Sequence, residues 1–259
     1  MPTKDDKLPI RAVPWVIFDA DNTLWHVEEL YDHARDQLVS LLEKYGADPV
    51  ATDREQRDRD VQLYERFGYS PKRFETSFNE TTYQLLPAST ARHLEPAVRD
   101  IARSVFLSPA RPDKDLPAVL DRLAGTYNLG IITAGDTVIQ ARRLHEFPYT
   151  NRFSKVEIVA EKTSEIFDYF CRSNAVERLK SFVIGDSLRS DILPAIEAGL
   201  NAVWCHAPNW HEHEIGRHVL PRSVAIANNL CEAVDIILGK SGSRLVTHKE
   251  NSRFGSAEF

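Results

Sequence analysis

One short stretch, Val16-Ile17-Phe18-Asp19-Ala20-Asp21-Asn22-Thr23-Leu24-Trp25, constrains the fold more than any other. An apolar run that stops abruptly at polar residues reads as a buried strand of a parallel sheet, and open α/β folds place their chemistry at the carboxyl ends of such strands. In an extended segment the side chains at i and i+2 point the same way, so Asp19 and Asp21 are expected to face one small volume. Two carboxylates that close repel each other and require a cation or a shared proton. Hard oxygen donors at a strand end suit Mg²⁺. A strand running into an ordinary Asp/Asn turn fits the same residues, so the rest of the chain must decide.

Composition sets the outer limits. Of 259 residues, 42% are apolar and 27% charged, which suits a soluble globular chain with a sizeable core. The net charge of −6 argues against nucleic acid or an anionic membrane as partner. Small phosphorylated molecules stay open, because a local cation and a lysine override a negative average. Cys171, Cys205 and Cys231 are too few and too widely spaced for a disulfide framework or a four-cysteine zinc site. They read as reduced thiols. The first dozen residues are charged, with no apolar signal core, and no apolar run reaches transmembrane length. The expectation is a cytoplasmic protein.

The first strand is expected over 13–19. From His26 the pattern turns helical: Leu30, Ala34, Leu38, Leu41 and Leu42 mark a helix over 28–45, closed by Gly46. Further helices are expected over 52–67 (capped by Thr52 or Asp53), over 71–85, and from Ser89 or Glu95 to Val105, with no convincing strand among them. Beyond Pro109 strands and helices alternate. Strands are predicted over 129–133, 156–160, 182–184, 202–205 and 224–227, and helices over 116–124, 138–147, 161–170, 190–198 (capped by Ser190) and 229–238. Repeated strand, crossover and strand means a parallel sheet covered by helices. The predicted class is therefore α/β, a Rossmann-like parallel-sheet core. That core takes in 1–25 and 108–239, with a helical-bundle cap inserted over 26–107. The segment 240–259 is rich in Ser, Gly and charge and is expected to be a flexible tail.

Four strand ends supply one chemical set. The first gives Asp19 and Asp21, the second Thr133 with its following amides, and the third is followed by Lys162. The fourth gives Asp186, with Asp191 five residues on. In a parallel sheet these ends share an edge. Carboxylates for Mg²⁺, a lysine, a hydroxyl and free backbone N–H groups are what a phosphoryl group needs.

On these residues the sequence resembles the haloacid dehalogenase-like superfamily, whose four motifs occur in order. Asp19-Ala20-Asp21-Asn22-Thr23 matches the first, Ile131-Ile132-Thr133 the second, Lys162 the third, and Gly185-Asp186-Ser187 with Asp191 the fourth. The resemblance runs from Val13 to about Leu238, and the inserted helices look like that family's α-helical cap of the first type. It implies that Asp19 is the nucleophile and that Asp21 protonates the leaving oxygen and later takes a proton from water. Thr133 and the amide of Ala134 would hold phosphoryl oxygens, and Lys162 would neutralise Asp19 and the phosphate. Asp19, Asp186 and the main-chain carbonyl of Asp21 would hold Mg²⁺, with Asp191 behind them. Asp21 favours phosphate esters, since relatives that attack carbon have no need of an acid there. The chain departs from the common pattern at Ala134, where many relatives carry Asn, and in the shortened run that follows Lys162.

The expected activity is Mg²⁺-dependent hydrolysis of a small phosphomonoester through an aspartyl phosphate. A phosphoryl-transferring mutase and a non-catalytic binding module are the alternatives. Other conspicuous residues receive plainer readings. His206, His211, His213 and His218 lack zinc-ligand spacing and read as a surface loop. Trp25 reads as hinge packing, the charge run 53–60 as a solvated helix face, and Tyr69, Lys72 and Arg73 as cap residues within reach of a substrate.

Overall fold

A computed structural model describes residues 12–205 and 224–239, so the histidine-bearing loop and the expected tail both lie outside the described residues. Six strands, β1 (Trp15–Phe18), β4 (Asn128–Ala134), β5 (Lys155–Val159), β6 (Phe182–Gly185), β7 (Asn201–Cys205) and β8 (Val224–Ala227), form a sheet in the order β5-β4-β1-β6-β7-β8. Every pairing is parallel, and β1 sits between β4 and β6, with Ile17 in register with Gly130 and Val183. The strand residues alternate between two cores. Val16 and Phe18 pack with α6 (Leu116–Leu123) and α10 (Leu230–Ile237), while Trp15 and Ile17 pack with α8 (Ser164–Ser173) and α9 (Leu193–Glu197). Both faces are covered, so the inner strands are mostly apolar, while the edge strand β5 carries Lys155 and Glu157 and is only half-buried. Among the described residues no helix is long and apolar enough to cross a membrane.

Between β1 and β4 the chain leaves and re-enters through a two-stranded antiparallel ribbon, β2 (Trp25–His26) against β3 (Arg111–Pro112). Two-residue strands are too short to show a period, so this ribbon is not among the expected elements. Beyond it lie α1 (Glu28–Glu43), α2 (Pro49–Gln62), α3 (Tyr64–Phe67), α4 (Pro71–Leu85) and α5 (Ala88–Leu107). Leu38, Leu42, Phe74, Phe78, Leu94 and Val98 form a separate apolar cluster at the centre of these helices.

The helix expected from 161 begins only at Ser164, and two further helix starts differ from expectation. The helix expected over 52–67 begins earlier and divides at Leu63, because Asp48 caps it by accepting from the Ala51 N–H at 2.7 Å and Pro49 fills its first turn. Its inner face is polar. Gln56 donates to Ser77 at 3.0 Å and Asp60 pairs with Arg73 at 3.0 Å, so part of the 53–60 run is buried rather than solvated. The second difference follows β6. Ser187, not Ser190, is the cap, and the Ile192 N–H reaches back five residues to the Ser187 carbonyl. Such widened turns recur at functional sites, and this one carries Asp191.

Candidate active site

Asp19 lies one residue past the end of β1 and is 6% exposed. Lys162 arrives from the opposite side, between β5 and α8, and its Nζ donates to Asp19 Oδ1 and, at 2.5 Å, to Asp191 Oδ1. The other Asp191 oxygen accepts from the Ser187 N–H at 3.0 Å. This approach depends on Gly185: a Cβ there would stand 2.4 Å from the Asp191 carboxyl carbon. Asp186 completes the group, its main chain fixed where its carbonyl accepts from the Trp204 indole at 2.7 Å. Asp19, Asp186 and Asp191 each bring a carboxylate oxygen within 4.8 Å of the others. Among the described residues these three carboxyl groups gather round the Lys162 ammonium, an oxygen-rich set of the kind that a hard divalent cation takes as ligands.

Burial governs the protonation here. Desolvation pushes Asp19 up to about 7 against the pull of Lys162, with Asp191 adding to the rise. Burial raises Asp191 too. It works the other way on Lys162, but Asp19 and Asp191 more than offset it, and the ammonium is held above its ordinary range. Lys155, the nearest other lysine, pairs at the start of β5 with Glu157 at 2.9 Å and takes no part.

Thr133 is the penultimate residue of β4, beside β1, 1% exposed, and its hydroxyl has no partner among the described residues. Ala134 follows as the last residue of that strand. Gly135 turns the chain at φ 142°, its N–H held by the Val159 carbonyl at 3.0 Å.

The side chain of Asp21 is engaged elsewhere. It accepts from Trp25 Nε1 at 2.6 Å, from Gln140 Nε2 at 2.8 Å, and from Arg143 Nη1 at 2.9 and 3.0 Å. The expectation that Asp19 and Asp21 face one volume assumed an extended backbone. That backbone ends at Phe18, and the Ala20 carbonyl then accepts from the N–H groups of Thr23, Leu24 and Trp25, curling the segment into a turn. Asn22 takes the left-handed conformation at φ 60° that this turn needs. Trp25, expected as packing, is both: it meets Phe147 edge-on and holds Asp21.

Gln140 and Arg143 belong to α7 (Thr137–Glu146), whose start is capped by Asp136. Sequence reasoning passed over both. Their one signal was spacing: three apart, they share the helix face that carries Leu144, which is buried.

The helices inserted between β2 and β3 lie over this edge. The Tyr69 hydroxyl meets Ser190 Oγ at 2.5 Å, Arg142 donates to the Phe106 carbonyl, and Arg189 stacks on Tyr64 at 4.9 Å. Between the layers is a cavity of about 50 Å³, lined by Asp21, Ala134, Gln140 and Arg143 below and by Tyr31, Tyr69 and Phe106 above. Of the three bundle residues expected near substrate, Tyr69 lines it. Arg73 is committed to Asp60, and the Lys72 ammonium lies over Phe67 at 5.7 Å.

The fold is an α/β parallel sheet that carries a buried acid–lysine group at the carboxyl edge of its central strands. The chain belongs to the haloacid dehalogenase-like hydrolases, whose family profile matches residues 13–199. Among individual relatives, it is 31% identical over 103 residues to a pyrimidine 5′-nucleotidase of Escherichia coli, a match covering 38% of this chain and only 46% of that enzyme. It is 26% identical over 200 residues to human N-acylneuraminate-9-phosphatase, covering 73% of this chain and 81% of that enzyme. A haloacid dehalogenase-like hydrolase from Xanthomonas campestris has the same fold, with a TM-score of 0.67 at 21% identity over 90% of this chain and 96% of that one. So does a Bacillus subtilis hydrolase of the family solved with bound magnesium, at 0.61 and 18% over 88% and 100%. The L-2-haloacid dehalogenase of Xanthobacter autotrophicus gives 0.57 at 15% over 88% and 99%.

Proposed function

We propose that the protein is a Mg²⁺-dependent phosphomonoester hydrolase that works through an aspartyl phosphate. The observation that carries this reading is the Lys162 ammonium held between buried Asp19 and Asp191, with Asp186 beside them. Lys162 offsets the charge that would otherwise keep an anionic phosphate away from Asp19. An Asp19 oxygen forms the new bond to phosphorus as the ester P–O bond breaks, and Asp21, which must carry a proton when the ester binds, passes it to the leaving oxygen. Asp21 then removes a proton from the water that hydrolyses the acyl phosphate, which returns Asp19 and releases inorganic phosphate. The unpartnered Thr133 hydroxyl and the Ala134 amide are the donors assigned to the phosphoryl oxygens. Asp19, Asp186 and the main-chain carbonyl of Asp21 would hold the metal, with Asp191 orienting them. A bound Mg²⁺ supplies positive charge to the phosphoryl oxygens.

The inserted helices act in this reading as a cap that excludes water and selects the leaving group. The substrate is a small phosphorylated metabolite.

The test is phosphate release from a broad panel of phosphomonoesters, with Mg²⁺ and with chelator, beside Asp19→Asn. Metal-dependent release that falls at least about 10³-fold in the variant is expected, since the nucleophile is lost. A folded protein that releases phosphate from none of them, or that instead frees halide from 2-haloacids, would overturn the reading.

A further inference from the structure

Arg143 is more than a partner for Asp21. Its side chain is 2% exposed, and only Nη1 is used, on the Asp21 carboxylate. Nε and Nη2 are buried with no partner. Gln140, 2% exposed, repeats the pattern: its Nε2 serves Asp21 and the Ala134 carbonyl, while its Oε1 is unpartnered. Both residues line the cavity under the inserted helices. A buried donor left unmade costs about 1–3 kcal/mol, more when it is charged, so native chains keep such groups where something else completes them.

The chemistry of the missing partner follows from the fork. A guanidinium presents parallel N–H pairs that match the two oxygens of a carboxylate, and two of its nitrogens are free here. Anchoring Asp21 alone would need one N–H group, not a buried fork. One guanidinium carries one positive charge, which a singly charged carboxylate balances without the excess that a second phosphate dianion would bring. The cavity sets the size: about 50 Å³ holds a few waters at roughly 10–15 Å³ each, so the group that enters has few heavy atoms.

We propose that Arg143 is a specificity residue whose free nitrogens bind a carboxylate on the leaving group of a small phosphorylated acid, with Gln140 Oε1 accepting from a neighbouring hydroxyl or amine. This rests on the phosphomonoesterase reading and names its substrate class. Asp21 lies beside the same cavity, so a leaving oxygen next to Asp21 places the rest of a short acid against Arg143.

The experiment uses matched ester pairs: phosphoglycolate beside 2-hydroxyethyl phosphate, 3-phosphoglycerate beside glycerol 3-phosphate, and phosphoserine beside phosphoethanolamine. For at least one pair the wild-type protein is expected to favour the acid by about tenfold or more in kcat/KM. In Arg143→Lys, which keeps the charge but not the fork, and in Arg143→Met, that ratio collapses toward one. A wild-type protein indifferent to the carboxylate in every pair would overturn the proposal. So would variants that slow both members of each pair alike, because Arg143 would then serve Asp21 alone. If no ester is turned over, the hydrolase reading fails separately. Calorimetric binding of the same pairs to Asp19→Asn, with and without the Arg143 substitutions, then decides: acid-selective binding lost with Arg143 upholds the inference, and equal binding ends it.

Discussion

In the proposed reaction Thr133 serves the site at the expense of the fold. Its hydroxyl is buried without a partner, and its methyl alone would suit the strand end equally well. Thr133→Val keeps shape and volume while removing the oxygen. Loss of one preorganised donor to a developing charge slows turnover by about 10²–10³-fold. Stability should hold or rise by about 1 kcal/mol, because an unsatisfied hydroxyl has been taken out of the interior. Phosphate release and a denaturant titration on the same preparation check the two halves. A variant that loses both activity and stability would mean the hydroxyl is structural. Gly185 makes the complementary case, where absence of a side chain is the contribution: Asp191 occupies the space a Cβ would take and so reaches both Lys162 and the Ser187 N–H.

The elements differ in how openly the sequence displays them. All six strands of the sheet were legible, five as short apolar runs that a sheet covered on both faces requires, and the edge strand β5 by its β-branched Val156, Ile158 and Val159 between charged residues. Asp19, Lys162, Asp186 and Asp191 were legible as polar residues at or just past strand ends. Gln140 and Arg143 were not: on a helix, a polar residue turned inward looks the same in sequence as one turned to water, and only the placement of α7 beside the turn after β1 separates them. The start of α2 was obscured similarly. Its inner face is polar, so apolar spacing gave no guide, and the local Asp48-Pro49 signal was overlooked. That cap gives a prediction at this scale. Asp48→Ala removes the acceptor for the Ala51 N–H and should cost about 1 kcal/mol. The midpoint in urea should fall accordingly while the Asp19 group, on the sheet edge, is left in place. No change in midpoint would mean that water replaces the cap without loss.

At the scale of the whole molecule, the site exists only when the sheet does. Lys162 and Asp19 are 143 residues apart in the chain, and β1, with β4 on one side and β6 on the other, brings Thr133, Asp19 and Asp186 to one edge. An unfolded chain has no such cluster, so a cation that binds it binds the folded state alone, and binding becomes stability. Among the described residues three carboxyl groups crowd one ammonium in a largely buried place, and desolvation pushes Asp19 and Asp191 upward. Added Mg²⁺ removes that conflict by favouring the charged forms. At a free concentration about 100-fold above Kd, Mg²⁺ should therefore stabilise the protein by about 2.7 kcal/mol, read as a rise in Tm that excess chelator reverses. Asp186→Asn removes one ligand charge and should abolish most of that rise, with less effect on the metal-free Tm than on the metal-bound one. A rise that persists in Asp186→Asn would place the cation elsewhere. No rise at any Mg²⁺ concentration would mean that the carboxylates hold no cation, and the proposed metal-assisted hydrolysis would fall with it.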